Sequence, residues 1–227
     1  MAKEFAHGCT LLVGVGACKI ANLSLSATVA DARTLRGALT DPQLCAYVDD
    51  AEHVRSLSED TATRQNIIDG LEWLASRAAK DSEATIVVYF SGHGLVTKPS
   101  GSYVLVTHDF DWAAPTSTGI EAAEFTKALR SIPARRLLVF LDCCHAEGMA
   151  TSKDYAAAAL PSGFAKAAVP TDVLQALKEG EGRAVFTSCR GEQQSYLRAD
   201  RKLSIFTDHL VEALRARWRE PSSRGGS

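Results

Sequence analysis

Two apolar runs in this sequence are each followed by residues that can carry out nucleophilic chemistry. Residues 84–90 are apolar and lead into His93, and residues 137–141 are apolar and lead into Cys143 and Cys144. A cysteine nucleophile needs a group that takes its proton, and histidine is the usual one. A nearby imidazolium also favours the reactive thiolate. If the two runs form adjacent strands, the histidine and one cysteine meet, and the chemistry predicted is thiol-based nucleophilic catalysis.

The residue after the histidine fits the same chemistry. Gly94 has no side chain, so its N–H could approach a substrate carbonyl closely. Together with the Cys144 N–H it would form an oxyanion hole. Taken alone, a histidine after a strand is usually structural, and a buried cysteine is usually a small hydrophobic residue. The prediction depends on the two occurring together at strand ends.

The elements that must position these residues alternate along the chain. Strands are predicted at 9–15, 54–57, 84–90, 103–107, 137–141 and 184–188. Helices are predicted at 29–39, 60–79, 121–131, 172–178 and 204–219. Runs that are apolar on both faces are typical of a parallel sheet covered by helices. The fold class predicted is therefore an α/β sandwich with a mostly parallel sheet, in which functional residues follow the carboxyl ends of strands.

Composition sets the class of protein. The chain has 227 residues, 46% of them hydrophobic, with 25 Lys and Arg against 27 Asp and Glu and a net charge of −2. These values are globular, and the near-neutral charge argues against nucleic-acid binding. The six cysteines show no metal-finger spacing, residues 1–7 lack the apolar stretch of a signal peptide, and no run is long enough to span a membrane. We therefore expect a cytoplasmic protein of a reducing compartment.

The two motifs resemble those of a known family. Residues 89–94 (Tyr-Phe-Ser-Gly-His-Gly) look like the histidine motif of caspases and metacaspases. Residues 141–146 (Leu-Asp-Cys-Cys-His-Ala) look like their cysteine motif, in the metacaspase form. The resemblance covers nearly the whole chain and implies a caspase-like α/β/α sandwich, closest to the bacterial metacaspase-like proteins. Glu147 stands where the family often has glycine, which concerns the loop and not the dyad.

The resemblance implies a cysteine endopeptidase and assigns its residues. Cys144, directly before the histidine of the motif, is the implied nucleophile and His93 its partner. Cys143 occupies a variable position, and we expect its side chain to pack on the opposite face because neighbours on an extended segment alternate. For His145 we expect a structural role. No cofactor is required, and the partner is a protein or peptide substrate.

The resemblance also bears on the residue before the scissile bond (P1). Caspases cut after Asp because arginines line the P1 pocket, and the two matching positions here are Leu25 and Leu197. In metacaspases carboxylates at the positions of Asp31 and Asp142 bind a basic P1 side chain. Two carboxylates in a partly desolvated pocket favour Arg or Lys and repel Asp.

Other interpretations of the pocket stay open. Asp31 could be a helix-terminal charge and Asp142 a cap of the nucleophile loop. Arg190 and Arg198 could restore an acidic P1 preference. The substrate groove is expected along Gln194, Ser195 and Tyr196, where an extended peptide would pair with the backbone.

The domain organisation follows from the same resemblance. Residues 1–220 are expected to form one caspase-like domain, large-subunit-like over 1–150 and small-subunit-like over 171–220. Residues 146–170, rich in small residues, are predicted to be a long loop, which is usually functional or disordered. Residues 221–227 are interpreted as a linker or a tail, and as a linker they could lead to a further domain. In the relatives that this chain resembles, such domains sense a signal or partner, often in bacterial defence.

Two hypotheses for the regulation of the peptidase follow from the sequence. Self-cleavage after Lys153 or Lys166 in the loop is one hypothesis. Calcium dependence is another, with Asp109 and Asp111 as weak candidates because calcium needs several oxygen ligands and no dense acidic loop is present.

Three rival functions remain. Gly14 and Gly16 after a strand faintly resemble a dinucleotide loop, but the third glycine is missing. A metal site built from the histidine and cysteine motifs lacks the spacing of known sites. The third rival is a caspase-like fold without turnover that acts as a binding or regulatory module.

Overall fold

The computed structural model describes residues 4–98, 100–143, 160–188, 197–200 and 202–216. The strands are β1 Gly8–Gly14, β2 Val54–Ser58, β3 Thr85–Ser91, β4 Gly94–Thr97, β5 Tyr103–Leu105, β6 Ile120–Glu121, β7 Arg136–Asp142, β8 Phe164–Lys166 and β9 Arg183–Thr187. The helices are α1 Ala27–Thr40, α2 Arg64–Ala79, α3 Pro115–Thr118, α4 Ala122–Arg130, α5 Thr171–Lys178 and α6 Ile205–Ala216.

The core of the fold is a five-stranded sheet in the order β2-β1-β3-β7-β9, and every neighbouring pair in it is parallel. Helices α1 and α6 pack on one face, and α2, α4 and α5 pack on the other. The predicted α/β/α sandwich with a parallel sheet is confirmed. Parallel strands need helical crossovers, and both faces are then covered, which is why β1 and β3 are buried along their whole length.

Side chains of the central strands alternate between the two faces. In β7, Phe140 packs against α1 and α6, whereas Val139 and Leu141 pack against the opposite helices. Because the side-chain period of a strand is two, this pattern fixes which residues at the strand end point to which layer.

A second, antiparallel sheet has the order β6-β5-β4-β8. Strand β4 begins two residues after Gly92, so the turn that carries His93 connects the two sheets. Strand β8 corrects the sequence analysis, which placed residues 164–166 in a long loop. Its three residues pair with β4, with Lys166 opposite Leu95. The strand is too short to show a period, and pairing with β4 defines it.

Candidate active site

His93 lies where the two sheets meet. It follows β3 by two residues, precedes β4 directly and is 3% exposed. Its carbonyl accepts a hydrogen bond from the Val106 N–H at 2.9 Å. The backbone of the histidine is thus held by the residue that follows β5 of the second sheet.

The end of β7 runs alongside the histidine turn. Ser91 and Asp142 are register partners of the parallel β3–β7 pair. Beyond them, the Gly92 N–H donates to the Asp142 carbonyl at 3.2 Å and the Gly94 N–H donates to the Cys143 carbonyl at 3.1 Å. Contacts therefore continue past the sheet edge and place the chain at Cys143 directly beside Gly94.

Cys143, the residue directly after β7, packs into the core. Cys143 is 2% exposed and packs in the core on the side of α2 and α4. Burial raises the pKa of its thiol, with the charge of Asp142 adding to the effect. A thiol held protonated in this way is a poor nucleophile, which agrees with the expectation that Cys143 is a packed side chain. Cys144 follows it in sequence and lies outside the described residues, as do His145 and 193–196.

Asp31 of α1 is fully buried against the ends of β3 and β7. Its carboxylate accepts hydrogen bonds from the Ser204 N–H at 2.9 Å and from the Ser91 hydroxyl at 3.4 Å. Asp142 is also fully buried, and its charge acts on Asp31. We call this pair of carboxylates the acidic pocket. The structure thus brings together the two aspartates that the resemblance singled out.

Burial strongly affects the ionisation of Asp31. Burial and, to a smaller extent, the charge of Asp142 together raise the pKa of this carboxyl from 3.8 to about 7, although the hydrogen bond from the Ser204 N–H lowers it. A carboxyl that gives up its proton near neutral pH, beside a second buried carboxylate, lies in an environment that a cation would stabilise.

Side chains around the acidic pocket form a buried hydrogen-bonded chain. The Ser204 hydroxyl caps α6 by accepting from the Thr207 N–H at 3.0 Å, and the Thr207 hydroxyl lies 2.6 Å from the Tyr89 hydroxyl. Sequence analysis missed Ser91, Ser204 and Tyr89. A serine directly before a helix is a typical N-cap, so the cap itself was predictable, but its contact with Asp31 was not.

The remaining predicted residues lie elsewhere or have other partners. Leu25 and Leu197 are half-buried, and the Arg198 guanidinium pairs with Asp208 at 2.6 Å.

The two calcium candidates have protein partners. Asp109 accepts hydrogen bonds from the Arg64 N–H and the Thr107 hydroxyl, and Asp111 accepts one from the Ala113 N–H. Within the described ranges no group of three or more His, Cys, Asp or Glu side chains is arranged to hold a metal ion. None of the described helices is long and apolar enough to cross a membrane.

The structure thus combines a parallel sheet with a histidine and a cysteine-bearing strand end at its carboxyl edge, where α/β sheets place their functional residues. Comparison with known families makes the assignment specific, because a family model described as the caspase domain matches residues 7–223. The chain therefore belongs to the caspase family of peptidases and is a cysteine peptidase in its general chemistry. Family members of this kind act on proteins or peptides.

Solved structures agree on the fold. The crystal structure of a protein from Geobacter sulfurreducens matches with a TM-score of 0.59 at 19% identity, over 96% of this chain and 85% of that one. At this identity the likeness concerns the fold alone. No curated protein matches the sequence.

Proposed function

We propose that the chain is an endopeptidase that uses a His93–Cys144 dyad and cuts proteins after Arg or Lys. The observation that carries this proposal is the acidic pocket: two fully buried carboxylates at the same sheet edge as the histidine. Asp31 reaches the pocket from α1 and Asp142 from β7.

Support for the dyad comes from chain continuity. The Cys143 carbonyl is 3.1 Å from the Gly94 N, and residue 144 is one peptide bond further on. Cys143 is buried with its thiol in the core, which leaves Cys144 as the cysteine of this motif available for chemistry.

The reaction follows from these roles. The Cys144 thiolate forms a bond to the carbonyl carbon of the basic P1 residue, and the oxyanion accepts hydrogen bonds from the Gly94 and Cys144 N–H groups. The C–N bond then breaks as the His93 imidazolium gives its proton to the leaving amine. Water attacks the thioester and gives one proton to His93, and the C–S bond breaks to release the Cys144 thiolate. The carboxylic acid formed loses its proton to solvent and leaves as the carboxylate. No step calls for a cofactor, and the groove at 194–196 would pair with the extended substrate.

The main rival within this class is an acidic P1 preference. It would need an arginine in the pocket, and Arg198 instead pairs with Asp208 at the first turn of α6. A charge already paired in this way is a weaker ligand for a substrate carboxylate. This contact counts against Arg198 as the ligand of an acidic P1 residue, and Arg190, the other candidate, lies outside the described residues. A role in regulated bacterial signalling or defence, in the cytoplasm and with a sensor partner, remains a prediction from the resemblance.

Covalent labelling tests the dyad. A peptidyl acyloxymethyl ketone with Lys or Arg at P1 alkylates the active thiol, and tandem mass spectrometry of the digest locates the adduct. We expect the adduct on Cys144, persisting in Cys143→Ala and lost in Cys144→Ala, with slower labelling in His93→Ala. An adduct on Cys143 that survives Cys144→Ala would contradict the assignment.

A further inference from the structure

Tyr103 of β5 places its hydroxyl between the two motif segments. The residue is 4% exposed, and a Cβ on Gly94 would overlap the Tyr103 hydroxyl oxygen. The Cys143 thiol neighbours the same hydroxyl, and burial raises the pKa of both groups. The Tyr103 phenol therefore contacts both Gly94, directly after His93, and Cys143, directly before Cys144.

Among the described residues this hydroxyl has no oxygen or nitrogen hydrogen-bond partner, and its contact with the Cys143 thiol, a weak acceptor, raises the pKa of Tyr103 and lowers that of Cys143. A fully unpartnered buried donor costs about 1–3 kcal/mol, and a weak sulfur acceptor offsets only part of that cost. Phenylalanine would fill the same volume in this core without that cost. A buried unsatisfied group in such a place calls for an explanation.

The hydrogen bond of the Gly94 N–H offers an explanation for the Tyr103 hydroxyl. In this structure it donates to the Cys143 carbonyl at 3.1 Å. The proposed reaction requires the same N–H to donate to the substrate oxyanion. When the oxyanion takes it, the Cys143 carbonyl loses its donor, in a buried place where an unpaired carbonyl is costly. The Tyr103 hydroxyl, which in the resting protein has only the weak sulfur acceptor of Cys143, is a donor next to the same two residues.

We propose that Tyr103 is a positioning residue of the oxyanion hole, whose hydroxyl donates to the Cys143 carbonyl when the substrate takes the Gly94 N–H. Through this exchange the Cys143 carbonyl keeps a hydrogen-bond donor while the Gly94 N–H moves to the oxyanion as the transition state forms. It lowers the barrier through the partner that it supplies to the carbonyl, and the tyrosine does not itself touch the substrate. This inference rests on the proposed function, since it assigns a role in that reaction.

Tyr103→Phe tests the exchange, with Tyr47→Phe as the matched control. Tyr47 is also buried, but it packs against Gly8, at the opposite end of β1 from the site. For Tyr103→Phe we expect kcat to fall about tenfold or more with KM within about twofold, since a donor used only in the transition state is lost. Alkylation of Cys144 by iodoacetamide, which forms no oxyanion, should keep its rate. The Tm should stay the same or rise, because an unsatisfied hydroxyl is removed.

Two results would overturn the proposal. One is a wild-type kcat in Tyr103→Phe. The other is a Tm that falls further than in Tyr47→Phe, which would show that the hydroxyl is already bonded in the resting protein. The Tm comparison needs no turnover. A wild type without activity would refute the proposed function, and it would be seen in the wild-type assay before any variant is compared.

Discussion

At the scale of single residues, burial decides what each candidate group can do. Cys143 and Asp142 are neighbours in sequence, yet one packs in the core against α2 and α4 while the other lies with Asp31. From the sequence alone, the alternation of an extended segment predicted that Cys143 is a packed side chain, and the resemblance assigned Asp142 to the pocket. What the sequence could not show is how completely both carboxylates are buried, because burial depends on α1 and α6 packing over the strand ends.

Asp31 should make stability depend on pH. Its folded pKa of about 7 is higher than the ordinary value of 3.8, so the folded state holds a proton that the unfolded state gives up. Its stabilising effect is fully present below pH 3.8 and is lost as the pH rises towards about 7. The free energy of unfolding should fall across this window by up to about 1.4 kcal/mol per pH unit.

Denaturant unfolding at pH 5, 6, 7 and 8 measures this dependence. Asp31→Asn carries no titrating proton and should flatten the decline, whereas Asp69→Asn, at an exposed position on α2, should keep the wild-type profile. Parallel profiles for the wild type and Asp31→Asn would show that this carboxyl does not titrate as described.

At the scale of elements, the strongest predictions came from long apolar runs. The runs before His93 and Cys143 are strands β3 and β7, adjacent and in register, which is the arrangement that the two motifs required. Short elements escaped prediction: β4 and β8 have four and three residues and exist through pairing with one another. The contact of Asp31 with Ser204 spans 173 positions, and no local pattern encodes it.

Strand β8 bears on where the chain would cut itself. Lys166 is paired with Leu95 of β4, and the next N–H, of Ala167, donates to the Gly94 carbonyl at 3.3 Å. A peptide bond must leave its sheet before a protease can accept it as an extended substrate. We therefore expect self-cleavage in residues 146–170 to follow Lys153, which lies outside the described residues.

Intact-mass analysis of the active protein checks this expectation. Lys153→Ala should abolish processing, and Lys166→Ala, matched in charge, should leave the fragments unchanged. A new amino terminus at Ala167 would contradict it. Recovery of intact chain alone from active protein would remove self-cleavage altogether.

At the scale of the whole molecule, strand order explains where the site lies. In the order β2-β1-β3-β7-β9 the chain reverses its winding between β1 and β3, so the connections leave the sheet in opposite directions there. Crevices at such a point, beyond the carboxyl ends of the strands, are where α/β sheets bind ligands. Asp31 follows β1 and His93 follows β3, so the acidic pocket and the histidine flank this point.

The central claim is that this fold cuts peptides after a basic residue through Cys144 and the acidic pocket. A cleavage panel with Arg, Lys or Asp at P1 tests it most directly, with the wild type beside Cys144→Ala, Asp142→Ala and Cys143→Ala. We predict turnover after Arg or Lys that vanishes in Cys144→Ala, falls about 100-fold in Asp142→Ala because a charge-assisted partner is lost, and changes little in Cys143→Ala. Turnover after Asp, or equal losses in Asp142→Ala and Cys143→Ala, would contradict it.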